Sequence, residues 1–389
     1  MARSGKDLLA DAKARIREVE SAYVKGLLDR KAGAALLDVR EPDETAQGTI
    51  PGALLLPRGH LEMRVEKLLP DRAREVVVYC AGGNRSAFAA RTLMELGYAD
   101  VKSMAGGYGA WAQAGLPVET PVTLNPDQMK RYSRHLLIPE VGLEGQAKLL
   151  KSRVALVGAG GLGSPAAFYL AAAGVGHLDL IDFDVVDESN LQRQILHKAR
   201  SVGRPKAESG RETLLELNPA LDVRAVQERV EPVNVERLLK DCDLVVDGCD
   251  NFSTRYLVND GAWRLGKPNV FGSVYRFEGQ VTVFAPGKGP CYRCLFPSPP
   301  PPEFAPSCDE AGVLGVLPGV VGLLQATEAV KVLLGRGEPL VGRLLAFDAL
   351  AMRFREFKVA RDPACILCGE KPTWKGYEEI AQACASNRS

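Results

Sequence analysis

SRVALVGAGGLGS, from Ser152 to Ser164, reads as an apolar strand, a glycine turn and the first turn of a helix. Gly158, Gly160 and Gly163 make the G-x-G-x-x-G spacing, with Gly161 beside them. A turn of this kind between a strand and a helix lets phosphate oxygens approach backbone N–H groups at the helix N-terminus. Downstream, HLDLIDFD (177–184), LDVRAVQER (221–229), DLVVDGCDN (243–251) and NVFGSVYRFEGQVTVFAP (269–286) supply further strands between helical segments. That alternation predicts an α/β fold with a mostly parallel, doubly wound sheet. Asp182 falls 19 residues after Gly163 at the end of the second strand, where a carboxylate can accept from ribose hydroxyls.

By themselves the glycine turn and Asp182 favour a nicotinamide or flavin nucleotide. The residues that follow change the ligand. SNLQRQ (189–194) and GRPKAE (203–208) place Arg193 and Lys206 on the segment after the second strand. Two cations beside a phosphate cradle suit a triphosphate better than a dinucleotide already paired with helix amides. Asp250, in DGCDN, is a candidate Mg²⁺ ligand, because Mg²⁺ takes one or two carboxylates together with substrate phosphates. His135 and His197 lie near Arg134 and Arg193 in the chain and are expected to pack rather than to touch phosphates.

Cys291-Tyr-Arg-Cys294 and Cys365-Ile-Leu-Cys368 repeat a C-x2-C spacing across 70 intervening residues. Four thiolates without histidine or an open position predict one structural, tetrahedral Zn²⁺. Cys242, Cys249 and Cys384 are expected to be structural.

Toward the N-terminus, GAALLDVR (33–40) and EVVVYC (75–80) read as short buried strands, and composition turns polar near residue 121. This predicts two domains, 1–121 and 122–389. Cys80-Ala-Gly-Gly-Asn-Arg-Ser86 places a cysteine at a strand end, then a flexible loop, then a helix start. Several N–H groups can converge on the sulfur there and favour a thiolate or persulfide, and Arg85 adds a positive charge.

Composition excludes several classes. Lys+Arg 49 against Asp+Glu 48 leaves a net charge of +1, so no global field holds nucleic acid or an anionic membrane. The 17 uncharged residues from Ala311 to Thr327 contain Pro318 and are too few for a bilayer span, so a buried helix is expected. The charged N-terminus lacks a signal-peptide core and, with nine cysteines, suits a cytoplasmic protein using thiol or metal chemistry. Only four histidines are present, which leaves few candidates for a histidine-based triad.

In order, RYSRHLL, GAGGLGS, DFDVVDESNLQRQ, GRPKAES, DGCDN, CYRC, CDEAGV and CILCG resemble the sulfur-carrier adenylyltransferases of the ThiF/MoeB type, relatives of ubiquitin-activating enzymes. The resemblance implies ATP held by Gly161 and Asp182, with Ser189, Asn190, Arg193, Lys206 and Arg134 around the phosphates. It implies Asp250 on Mg²⁺ with Asn251 beside it, and a homodimer in which Arg193 reaches into the partner's site. The implied substrate is a ubiquitin-like sulfur carrier ending in Gly-Gly. Cys308 of SCDEAGV matches a cysteine proposed to bond covalently to the carrier. Residues 15–120 resemble a rhodanese domain, on LLDVREPDE (36–44), IPGALLLP (50–57), the Cys80 loop and GGYGAWAQAGLPV (106–118). That implies Cys80 as a persulfide carrier fed by thiosulfate or a cysteine desulfurase, with Asp38 and Arg40 in support. Thr49 departs from the histidine usual before the Ile-Pro-Gly-Ala turn. Two other readings are a nicotinamide oxidoreductase with a fused thiol domain, and a non-catalytic sulfur-relay scaffold.

Overall fold

The computed structural model describes residues 3–30, 32–120, 124–299 and 312–377. The chain divides into two compact units, Met1–Thr123 and Leu124–Ser389. Cys308 and Cys384 lie outside the described residues, as does the proline run from residue 300 onward.

The first unit holds a five-stranded sheet in the order β1-β5-β4-β2-β3, made of β1 Arg17–Val19, β2 Ala35–Asp38, β3 Leu54–Leu55, β4 Val76–Tyr79 and β5 Val101–Met104. Every pairing is parallel. A parallel strand covered on both faces has no polar side, which is why ALLD and VVVY are buried at every position. Alternate residues feed two cores. Leu37, Val76 and Val78 pack with Leu61, Val65 and Leu93 on one face, while Leu36, Val77 and Tyr79 pack with Val24 and Trp111 on the other. Cutting the fully buried Leu37 back to alanine would cost ~3 kcal/mol. From β4 the chain moves on to β5 on one side, and from β2 to β3 on the other. The strand order therefore reverses between β4 and β2, and Cys80 and Asp38 stand at the C-terminal ends of those two strands.

The second unit holds an eight-stranded sheet in the order β13-β12-β11-β10-β9-β6-β7-β8. Its strands are β6 Arg153–Val157, β7 His177–Ile181, β8 Asp222–Val226, β9 Leu244–Asp247, β10 Asn269–Tyr275, β11 Glu278–Phe284, β12 Arg343–Asp348 and β13 Arg353–Lys358. From β8 to β10 the pairing is parallel, and from β10 to β13 antiparallel. The strand order reverses between β6 and β9, so their C-terminal ends open the crevice that holds ligands in sheets of this class. Two glycines make the approach there possible. A Cβ on Gly163 would lie 1.8 Å from the Gly158 carbonyl oxygen, and Gly158 has φ +94° with Gly248 O 2.7 Å from its would-be Cβ.

The helix Leu317–Leu334 is the one described helix long and apolar enough to cross a membrane. Its Leu317, Val321, Ala329 and Leu333 are buried in the core of this unit. The sequence reading stopped its strands at residue 286 and so missed β12 and β13. The turn between them, Ala349–Met352, has no glycine or proline, and Met352 itself takes a positive φ of 49°. β13, RFREFK, is exposed along its whole length and carries no core-facing pattern.

Candidate functional site

The crevice of the second unit is a cavity of about 290 Å³. Gly158, Gly160 and Gly161 line it from the turn after β6, Asp182 and Asp184 from the end of β7, and Asp250 and Asn251 from the end of β9. Arg193 and Lys206 reach the same cavity. Gly163 begins the helix Gly163–Ala173 beneath the turn and is not part of the lining. Ser189 and Asn190 lie outside the lining, with Ser189 donating from its N–H and hydroxyl to Asp187. Arg134 is exposed on the short helix Ser133–Leu136 and does not line the cavity.

Hydrogen bonds fix the turn from both sides. Asp182 Oδ2 accepts from the Ala159 N–H at 2.8 Å, and Oδ1 accepts from the Asp184 N–H at 2.9 Å. Burial raises the Asp182 carboxyl, against the pull of Lys206 and these N–H groups. Lys206 donates to Asp184 at 3.0 Å. On the other side His197 Nε2 lies 3.0 Å from the Ala159 carbonyl oxygen and Nδ1 3.1 Å from Ser209 Oγ. A carbonyl only accepts, so the proton sits on Nε2, and Nδ1 accepts from Ser209. Burial pushes the imidazole down to about 4, which keeps it neutral. The role of His197 as an anchor of the glycine turn was invisible in the sequence, since 38 residues separate it from Ala159.

Opposite the turn, Asn251 caps the helix Phe252–Arg264 by accepting from the Thr254 N–H at 2.9 Å. Arg255 on that helix is buried, lines the cavity and donates to the Cys249 carbonyl at 2.9 Å. Gln194 lines the cavity with a buried Oε1 that has no partner among the described residues. Neither Arg255 nor Gln194 stood out in the sequence as a site residue.

The sulfurs of Cys291, Cys294, Cys365 and Cys368 all lie within 4.8 Å of one another. The separations are 4.0 Å for Cys291 and Cys294, 3.6 Å for Cys291 and Cys365, and 3.2 Å for Cys294 and Cys368. Zinc–sulfur bonds of about 2.3 Å in a tetrahedron place sulfurs about 3.8 Å apart, so the four thiols fit one Zn²⁺.

In the first unit Cys80 is 1% exposed and its sulfur accepts from the Gly83 N–H at 3.1 Å. Burial pushes the thiol up. The Ser86 N–H and hydroxyl, with the Gly82 and Gly83 N–H groups, outweigh it and hold the thiol below its ordinary value. Ser103 donates to Ser86 Oγ at 2.9 Å and keeps that hydroxyl in place. Asp38 receives the Arg40 guanidinium at 2.7 Å, and Thr49 Oγ1 donates to the same carboxylate at 3.1 Å. Thr49 thus works inside a buried polar network where the resemblance led one to expect histidine. Arg85 pairs with Glu44 through two hydrogen bonds of 2.6 Å. Glu44 had no role in the sequence reading.

Known proteins share both patterns. Residues 20–114 match the Rhodanese-like domain, and residues 132–367, more than half of the chain, match the ThiF family. The probable adenylyltransferase/sulfurtransferase MoeZ of Mycobacterium tuberculosis is 52% identical over 251 residues, which cover 64% of each chain, so the match spans less than two thirds of that relative. The sulfur carrier protein adenylyltransferase of Thermus thermophilus is 51% identical over 263 residues, 66% of this chain and 97% of the relative. The SAMP-activating enzyme E1 of Haloferax volcanii is 53% identical over 249 residues, 64% of this chain and 92% of the relative. Among solved structures, Escherichia coli MccB with ATP superposes with a TM-score of 0.54 at 23% identity, over 61% of this chain and 74% of that one, a likeness of fold alone. With its glycine turn, crevice and paired cysteines inside the matched span, the chain belongs to the ThiF family.

Proposed function

We propose that the second unit uses ATP and Mg²⁺ to adenylate the C-terminal glycine carboxylate of a ubiquitin-like sulfur carrier, and that Cys80 then supplies sulfur to make a thiocarboxylate. The observation that carries the reading is the convergence of a glycine turn, Arg193, Lys206 and Asp250 on one cavity at the strand-order reversal. Nothing in that lining needs to remove a proton. A terminal carboxylate, with a pKa of about 3.5, is already ionised near neutral pH and can attack the α-phosphorus directly. Lys206, Arg193 and the N–H groups of the turn offset the charge of the departing pyrophosphate and hold the phosphates in line. Asp250 would hold Mg²⁺, which neutralises phosphate charge when bound. The four cysteines would hold a structural Zn²⁺ away from the chemistry.

In the second step the terminal sulfur of a Cys80 persulfide attacks the acyl carbon and AMP leaves with the electron pair of the broken bond. A second thiol then attacks the Cys80 sulfur, releasing the thiocarboxylate and forming a disulfide. Cys308 is the candidate for that thiol and lies outside the described residues. A homodimer in the cytoplasm, where thiols stay reduced, belongs to the same reading. Pyrophosphate exchange into ATP tests it: exchange dependent on a carrier ending in Gly-Gly supports the reading, and ATP binding without exchange contradicts it.

A further inference from the structure

One wing of the cavity in the second unit runs across three neighbouring strand ends. The glycine turn follows β6, Asp182 stands just past β7, and Arg229 lies three residues past Val226, the last residue of β8. Phosphates belong at the turn and ribose hydroxyls at Asp182, so the base of a nucleotide continues in the same direction, toward the end of β8. The Asp182 N–H donates to the Val226 carbonyl at 3.0 Å and ties those two ends together. Ile181 and the buried Val230 contribute apolar lining there.

Arg229 is exposed, yet its guanidinium has a fixed neighbour. The guanidinium carbon lies over the ring of Phe183, 3.9 Å from its centre, and both residues line the cavity. Phe183 follows Asp182 directly and is 41% exposed. Among the described residues the Arg229 side chain makes no ion pair or hydrogen bond, and its neighbour Glu228 accepts instead from Arg237. The Arg229 backbone is held by its own carbonyl, which accepts from Asn234 Nδ2 at 2.9 Å.

An arginine without a carboxylate ordinarily samples many rotamers in water, and ordering it costs free energy. Here an aromatic ring orders it at a place where the phosphates already have Arg193, Lys206 and the turn. A guanidinium has two faces. Phe183 takes one, and a planar base can stack on the other, where the cation and the π-system attract each other. Two fused rings cover more of that face than one.

Resting on the reading of this cavity as an ATP site, we propose that Arg229, held flat by Phe183, is a specificity-determining residue that stacks on the base of the nucleotide and favours purines over pyrimidines. It acts through the plane of its guanidinium rather than through charge alone. The platform reads ring size and not the base edge, so it treats adenine and guanine alike. In the sequence Phe183 passed as part of DFD and Arg229 as a charge in QERVE, and only the fold brings them together.

The experiment measures dissociation constants of ATP, GTP, UTP and inorganic tripolyphosphate on the full-length chain with Mg²⁺, by displacement of a fluorescent ATP analogue. Arg229→Ala should weaken ATP and GTP roughly tenfold and UTP about threefold, and leave tripolyphosphate unchanged. Arg229→Lys keeps the charge and loses the plane, so it should bind ATP as weakly as Arg229→Ala. Phe183→Leu removes the ring beneath the guanidinium and should weaken ATP, with little further loss when combined with Arg229→Ala. Both side chains are exposed, so the unfolding temperature of each nucleotide-free variant should match that of the unmodified chain. Unchanged ATP binding in Arg229→Ala, equal weakening of ATP and UTP, weakening of tripolyphosphate, or full rescue by Arg229→Lys would each overturn the proposal. No ATP binding by the unmodified chain would instead overturn the underlying reading of the cavity.

Discussion

Arg293 stands between the cysteines of the first C-x2-C pair and donates to the buried Asp260 from Nε at 2.9 Å and Nη2 at 2.7 Å. Asp260 belongs to the helix Phe252–Arg264, whose first turn lines the nucleotide cavity. Trp374, a few residues past the second pair, donates to the same carboxylate at 3.1 Å, and the Tyr292 N–H donates to the adjacent Asn259. The four-cysteine cluster and one wall of the cavity are thus fastened to a single helix.

One zinc per chain is expected in protein purified without chelator, and elemental analysis giving less than half an equivalent would count against the four-thiolate site. Asp260→Ala removes the buried carboxylate that pairs with the part-buried Arg293 and should cost about 3 kcal/mol. Thermal unfolding should report that loss, and zinc should leave the variant faster when challenged with a chelator. A variant with unchanged stability and zinc retention would show that the ion pair does not hold the cluster to the helix.

His197 sets a pH limit on the second unit. Its folded-state pKa of about 4 lies below the ordinary 6.5, so between these values the unfolded chain binds the extra proton. The stabilisation is complete above pH 6.5 and is lost as pH falls toward 4, by up to about 3 kcal/mol. His197→Gln should flatten this acid limb in a series of denaturant titrations. An acid limb as steep as that of the unmodified chain would place the effect elsewhere.

Asp250 is exposed at the end of β9, within the cavity, and its carboxylate makes no ion pair among the described residues. Asp250→Ala should therefore leave stability nearly unchanged while reducing carrier-dependent pyrophosphate exchange by roughly 10²-fold or more, the few kcal/mol expected of metal-assisted charge neutralisation. Full exchange in the folded variant would remove Asp250 from the chemistry.

What could be read from the sequence was local. The glycine turn after RVALV, the run of buried strands and the two cysteine pairs each carry their meaning within a few residues, and the sheet and the sulfur cluster follow from them. What could not be read depends on contacts across the chain. His197 meets Ala159, Glu44 meets Arg85 and Arg293 meets Asp260 only after folding, and no spacing rule links the partners. The β12–β13 hairpin was missed for a different reason, because Met352 takes the left-handed turn conformation that usually marks a glycine. Gln194 and Arg255 sit in helical or turn segments where a polar residue ordinarily faces solvent, so their place in the lining had no local sign.

The central claim is that one chain performs two separable steps, adenylation in the cavity of the second unit and sulfur delivery from Cys80. It is tested most directly by measuring both activities in Cys80→Ala, with persulfide loaded on the first unit as the only sulfur source. Carrier-dependent pyrophosphate exchange should stay at the level of the unmodified chain while carrier thiocarboxylate, followed by mass spectrometry, disappears. Loss of exchange in the correctly folded variant, or thiocarboxylate formed at an undiminished rate, would contradict it.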